Sequence, residues 1–535
     1  MNNKNYDVIV VGGGIAGITA TAYLSKYNIK TVLFEKNEKV GGLIKTFEYK
    51  GFKYDGGARA YENSGVIYPM LKQLGIVLEN VHNPVSVGIG DNIIEFKDKN
   101  SLKDYQDLLS NNYPDNVDEI HEIIKEIEKV IDYMEVIYGI DNPMFSDNFT
   151  DKEYVFKQLL PWLMKYTVNI KKAQKLNEPV NEYLLKFTKN QSLIDAITQH
   201  FFKGTPTFFA LSYFGQYLDY SYPIGGTGIL IDKLSEYIKS KNNEILTENE
   251  IVSVNTISKT VTTKDNKEYS YKYLIWAADL RSLYLNAKID NLKKSEIKKI
   301  EKIKNKVLSN KGSDSVLSVF INTDLENEYY RKIIEGHCFY TPDKRGIGTS
   351  MMDKRDVFLK DKSEKDEFET LKEIVYEYLK LTTYEISIPS LRDASMSPKN
   401  KTGIIVSTLI DYGLFNYAKE KGWYEDLKEY CQKCVIDILN ESIFDGFKTK
   451  VTEATCSTPI TIEKVTNGFE GSITGWAFSN NMPVQSELTK IAKAIYTEIP
   501  NVYKAGQWSF YPSGIPTCII TGKLAADNIK KKMRK

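Results

Sequence analysis

Residues 7–35 read DVIVVGGGIAGITATAYLSKYNIKTVLFE. An unbroken apolar run ends in Gly12-Gly13-Gly14-Ile15-Ala16-Gly17. A helical pattern follows to Tyr27, then a second apolar run that stops on Glu35. The spacing predicts strand, glycine turn, helix and strand, which is the opening of a dinucleotide-binding βαβ unit. Gly12 allows the tight turn, Gly14 leaves room for a pyrophosphate, and Gly17 lets helix and strand close on each other. Free N–H groups and the positive dipole end of the helix face the phosphates at Ile15 and Ala16. Glu35, with Lys36 beside it, is placed to meet a ribose.

The chain beyond Glu35 carries a second glycine pair, Gly41-Gly42, followed by Leu43. That pair offers a second close backbone approach to the cofactor. Residues 51–59, GFKYDGGAR, add Gly57, Ala58 and Arg59. Taken alone they read equally as a glycine-rich hairpin.

Composition sets limits. The 535 residues suffice for more than one domain. A net charge of +1 excludes a global field that would recruit nucleic acid. The first residues lack a signal-peptide core and no apolar run is long enough to span a bilayer, so a cytoplasmic location is expected. The five cysteines are odd in number and scattered, which argues against a disulfide framework. Cys431 and Cys434 form a CxxC pair inside a helical pattern without a second pair. The four histidines show no metal spacing, and no metal is expected.

Along the chain, residues 117–137 place Ile120, Ile123, Ile124, Ile127, Val130, Ile131 and Met134 on one helical stripe. Helical and aromatic character continues to about residue 220. Residues 244–254 read as one strand, and 273–279 as a return to the first unit. Residues 315–322 and 403–411 read as strands of the second. The expected fold is α/β, a Rossmann-like FAD-binding domain interleaved with an α+β substrate domain. The first takes residues 1–85, 225–290 and 491–535, and the second 86–224 and 291–490. Residues 503–517 lead through Gly506, Gln507, Gly514 and Ile515 to Pro516, which suits the first turn of a final helix.

The pattern as a whole resembles the carotenoid and retinoid FAD oxidoreductases, the phytoene desaturases, carotene cis–trans isomerases and retinol saturases of the wider flavin amine-oxidase superfamily. YPIGGTGILIDKL (222–234), SIPSLRDASMSP (387–398), TPITIEKVTNGFEGSITGWA (458–477) and the ending GQWSFYPSGIPTCIITGKLAA (506–526) carry the resemblance, in order, across nearly the whole chain. Leu43 departs from it, because many members have Arg there.

The resemblance implies non-covalent FAD. It implies hydride chemistry at flavin N5 on a C=C bond of a long apolar polyene, with Val252 and Ala277 added to the cofactor contacts. The final helix would aim its positive end at the flavin and favour the reduced anion. Arg59 is the candidate flavin-side charge and Asp393 the candidate substrate-side carboxylate. Phe201, Phe202, Phe208, Phe209, Leu211, Tyr213, Phe214 and Tyr217 are candidates for an apolar tunnel. Residues 156–170, with Lys157 and Lys165, read either as a membrane-surface contact or as a core helix interrupted by Pro161. The basic tail 530–535 reads either as a lipid contact or as a solvated helix end. The electron acceptor stays unassigned. Other readings remain open: a flavin enzyme on unsaturated fatty acids or on amines, and a flavin-binding protein without turnover.

Overall fold

The computed structural model describes residues 5–534 except 63, 291, 362–365 and 480. The strand Asn5–Val11 lies at the centre of an eight-stranded sheet. Val8, Ile9 and Val10 are fully buried, as a strand covered on both faces requires. It pairs in parallel with Thr31–Phe34 on one side and Glu268–Trp276 on the other, with Val11 opposite both Phe34 and Trp276. Glu244–Leu246 extends the sheet beyond Thr31–Phe34, and Val502–Lys504 pairs with the end of Glu268–Trp276. Strands from three distant stretches therefore meet around one glycine turn. The helices Ile15–Lys26 and Ile515–Met533 pack closely on one face: a Cβ at Gly522 would lie 2.5 Å from the Ala16 carbonyl oxygen.

The expected single strand over 244–254 is two strands, Glu244–Leu246 and Ile251–Asn255. The chain bends between them at Glu248, whose φ is +57°. The N–H groups of Glu248 and Asn249 donate to the carbonyls of Asn37 and Glu35, so the bend closes over the acid turn.

A second sheet of seven strands runs in the order Val451–Ser457, Ser315–Thr323, Thr402–Ile410, Tyr384–Ser387, His337–Thr341, Val85–Ile89 and Asn92–Phe96. Its pairs are antiparallel except His337–Thr341 with Val85–Ile89. Period-two alternation divides the faces. Leu317, Val319, Ile321, Cys338, Tyr340, Tyr384, Ile386, Ile404 and Val406 share one core with the helices Glu367–Leu381 and Tyr424–Ser442. Ser318, His337, Phe339, Glu385 and Ser407 take the other parity and line a cavity.

Two segments fall outside the expected boundaries. Val85 begins a strand of the second sheet, so the 1–85 piece ends before it. The helix Lys294–Ser309 buries Ile300 and Val307 with Val254, Val261 and Leu280 of the first unit. Its apolar stripe covers the antiparallel end of the first sheet, which would otherwise face water. The stripe on Val117–Tyr138 faces inward, with Ile120, Ile123, Ile124, Ile127, Val130 and Met134 buried. Among the described residues, no helix is long and apolar enough to cross a membrane.

Candidate functional site

The glycine turn, the end of Glu268–Trp276 and the start of the last helix all open on one cavity of ≈ 490 Å³. Gly12 has φ +101°, and a Cβ there would sit 2.7 Å from the Ala277 carbonyl oxygen. A Cβ at Gly14 would meet nothing within 4 Å, because that position faces the open cradle. At Gly17 a Cβ would lie 1.9 Å from the Gly12 carbonyl oxygen. Gly17 therefore acts through helix–strand contact and does not line the cavity. Glu35 accepts the Gly13 N–H at 2.8 Å through Oε2, while Oε1 takes the Asn37 N–H and Nδ2. Its carboxylate both stiffens the turn and keeps lone pairs for a ribose diol. Thr517 Oγ1 accepts the Gly514 N–H at the head of the last helix.

The cavity brings together Gly12, Gly14, Ile15, Ala16, Glu35, Gly41, Gly42, Leu43, Gly57, Ala58, Arg59, Ala277, Gly506, Gln507, Gly514, Ile515 and Pro516. Besides Gly17, three of the cofactor and catalytic candidates lie elsewhere. Lys36 Nζ donates to the Lys464 carbonyl at 2.7 Å on the exposed rim, and Asn37 takes the place inside. Val252 is 40% exposed, because alternation along its strand buries Ile251 instead. Asp393 accepts the N–H groups of Gly225 and Ser395 at 2.8 and 2.9 Å. Both its oxygens are engaged in holding a turn, away from the cavity.

Beyond the cradle the cavity changes character. Phe201, Phe202, Phe208, Phe209, Tyr213, Tyr220 and Phe339 form an aromatic wall. Leu211, Phe214 and Tyr217 point away from it into the core, where Phe214 packs on Phe96 and Tyr105. The helix Thr207–Gln216 presents only one face to the cavity.

The deep end is polar. Arg59 Nη1 donates to the Asp55 carbonyl, and Nη2 to Ser407 Oγ at 2.8 Å. Its Nε has no hydrogen-bond partner among the described residues. Arg392 donates to Asn83 Oδ1 at 2.6 Å, to the Arg59 carbonyl and to Ser387 Oγ, and it stacks on the Tyr222 ring. Because Asn83 Oδ1 accepts from Arg392, its Nδ2 donates to His337 Nδ1. His337 then carries its proton on Nε2 and donates it to Glu385 Oε1 at 3.0 Å. Burial alone would raise the pKa of Glu385. The His337 hydrogen bond and the Arg59 and Arg392 charges outweigh it and hold Glu385 below the usual carboxylate range. Burial holds His337 below its ordinary value, and pushes His200 down to about 3, so both rings are neutral near pH 7.

Glu62 stands apart from this network. It lines the cavity and is half-buried, and desolvation pushes its pKa up to about 7. No side chain among the described residues pairs with its carboxyl. Its position three residues after Arg59 was the one signal in the sequence that could have identified it. Ser318, His337, Glu385 and Ser407 gave no such signal, since they come from four different strands. The CxxC pair is structural: Cys431 and Cys434 are buried, and burial raises both thiols. No group of metal-binding side chains occurs among the described residues.

Residues 15–372 match the family model described as flavin containing amine oxidoreductase. Over its full length the chain is similar to a 1-hydroxycarotenoid 3,4-desaturase of a Flavobacterium species, 22% identical over 97% of this chain and 98% of the relative. It is 25% identical to an inactive all-trans-retinol 13,14-reductase of Danio rerio over 37% of this chain, a match that spans only 33% of that protein. Among solved structures, cyclohexylamine oxidase from Brevibacterium oxydans superposes with a TM-score of 0.60 at 12% identity, covering 99% of this chain and 100% of the other.

Proposed function

The chain belongs to the flavin-containing amine oxidoreductase family, and from that premise we propose that it alters the double-bond pattern of a long, mainly apolar, carotenoid- or retinoid-like molecule. The protein is an FAD-dependent oxidoreductase. The residues present fit that cofactor. Gly14 opens on the cradle, Glu35 keeps acceptor capacity, and the N-termini of Ile15–Lys26 and Ile515–Met533 converge on the same space. Bound there, FAD supplies two-electron chemistry at its N5 atom.

The observation that carries the substrate reading is the continuity of the cradle with the aromatic wall of Phe201, Phe208, Phe209 and Phe339. An extended apolar chain laid along that wall excludes water and is held by shape. Ser318, Ser407, His337 and Glu385 would take a polar group at its far end. Removing or adding two hydrogens also moves a proton. Glu62, with a proton affinity near neutrality, is the carboxyl poised to accept or return it.

One feature favours a second reading. Glu62 and Glu385 each place a carboxyl in the cavity, and a carboxylate of that kind attracts an ammonium group. The test is anaerobic incubation of the oxidised and the reduced holoenzyme with carotenoids, retinoids, unsaturated fatty acids and amines, followed by chromatography and flavin spectroscopy. A change in double-bond pattern supports the polyene reading. Unchanged polyenes together with rapid flavin reduction by amines replace it with the amine reading.

A further inference from the structure

The helix Leu160–Gln174 and the π-helical turn Tyr154–Leu159 before it carry an apolar stripe on the outside. Phe156 is 66% exposed, Leu160 42%, Leu163 46%, Met164 75% and Val168 54%. Their spacing puts all five on one face of a helix. A surface helix normally turns that stripe to the core. Here the core contact is made by the side that carries Trp162 and Ala173: Ala173 is buried, and Trp162 Nε1 donates to the Val136 carbonyl at 2.8 Å, while Ile170, two turns beyond Leu163, is buried where the stripe ends. Contiguous exposed apolar surface of this kind marks an interaction site.

Charge narrows the partner. Lys157 is paired with Glu153 at 2.7 Å, while residues 158–177 add Lys165, Lys171, Lys172 and Lys175 and no acid. A second copy of the chain meeting this face symmetrically would set lysines against lysines. Anionic lipid headgroups above an acyl layer satisfy both the lysines and the stripe.

The inner side of the same helix packs on Val117–Tyr138, whose last residue, Tyr138, lines the cavity. Tyr166 and Glu62 both act electrostatically on Tyr138, and Tyr138 and Glu62 line the cavity. Gln174 Nε2 reaches Thr489 Oγ1 at 3.4 Å, next to the lining residue Leu488.

We propose that the face formed by Phe156, Leu160, Leu163, Met164 and Val168 seats this protein on an anionic bilayer surface, from which an apolar substrate is delivered. Seating by itself does not depend on the polyene reading. The delivery of substrate from the bilayer does.

The test is flotation of the holoenzyme with vesicles of phosphatidylcholine alone or mixed with phosphatidylserine, alongside gel filtration. The parent is expected to float with the anionic vesicles, and less well with neutral ones or in high salt. Leu163→Glu/Met164→Glu should lower the floated fraction about ten-fold while leaving FAD content and thermal midpoint unchanged. Lys165→Ala/Lys171→Ala/Lys172→Ala should weaken only the anionic preference. The proposal is overturned if the parent fails to float with either vesicle at low salt, or if the Glu double variant floats as well as the parent. A concentration-dependent dimer abolished by the Glu substitutions would overturn it too, by assigning the face to a second copy. If seating holds while no polyene is altered in the incubation, the substrate reading falls and the docking surface stands.

Discussion

Nε2 of His337 lies 3.0 Å from Oε1 of Glu385, and Arg59, on the cavity wall, and Arg392, behind it, both act on the carboxylate. Two carboxylates, Glu385 and the buried Asp55, thus face two buried guanidinium groups, and His337 is held neutral as the donor to Glu385.

Replacing that charge should cost stability in a pH-dependent way. Glu385→Gln keeps the shape and leaves Asp55 as the one remaining carboxylate acting on both Arg59 and Arg392. A loss of about 1–3 kcal/mol is expected near neutral pH. Glu385 has a depressed folded pKa, so its contribution is full above the ordinary carboxylate range and is lost as pH falls through the folded value. Urea midpoints of parent and variant should therefore converge on acidification. An equal gap at every pH would contradict the charge argument.

Glu62 behaves with the opposite sign. Its folded pKa is raised to about 7, so its ionisation opposes folding increasingly as pH rises from the carboxylate range through that value. In turnover, kcat/KM should rise through about pH 7 as the carboxylate forms, if it acts as the proton acceptor. Glu62→Gln should abolish that inflection and lower the rate by roughly 10²–10⁴. A pH–rate profile that keeps its inflection in the variant would remove Glu62 from the mechanism.

The glycines of the first turn should separate cofactor binding from folding. Gly14→Val directs its side chain into open cradle space, so the apoprotein should keep its thermal midpoint and lose FAD. Gly17→Ala forces a Cβ against the Gly12 carbonyl and should destabilise the fold itself. FAD-to-protein ratios after gel filtration, read with thermal melts, distinguish the two. Full flavin occupancy in Gly14→Val would disprove the placement of the pyrophosphate.

Asp393 ties down the turns at Gly225 and Ser395. Asp393→Ala is expected to cost about 1 kcal/mol of stability, as loss of a capping carboxylate does. The pH dependence of turnover should stay that of the parent. A shifted pH–rate profile would restore it to the substrate side.

The opening strand, glycine turn, helix and Glu35 were legible in the sequence because their contacts are local. Backbone approach at Gly12 and Gly14, helix start at Ile15 and strand end at Glu35 all follow from residues within one βαβ unit. The inward stripe on Val117–Tyr138 was legible for the same reason, since periodicity is local. Other features depended on tertiary structure. Alternation along four separate strands of the second sheet decided that Ser318, His337, Glu385 and Ser407 face one cavity, and no spacing in the chain encodes which parity turns inward. Packing also decided that Lys294–Ser309 covers the first sheet and that Leu160–Gln174 turns its apolar stripe outward. A helical period identifies the stripe, but only the neighbouring elements determine whether it meets the core or the solvent.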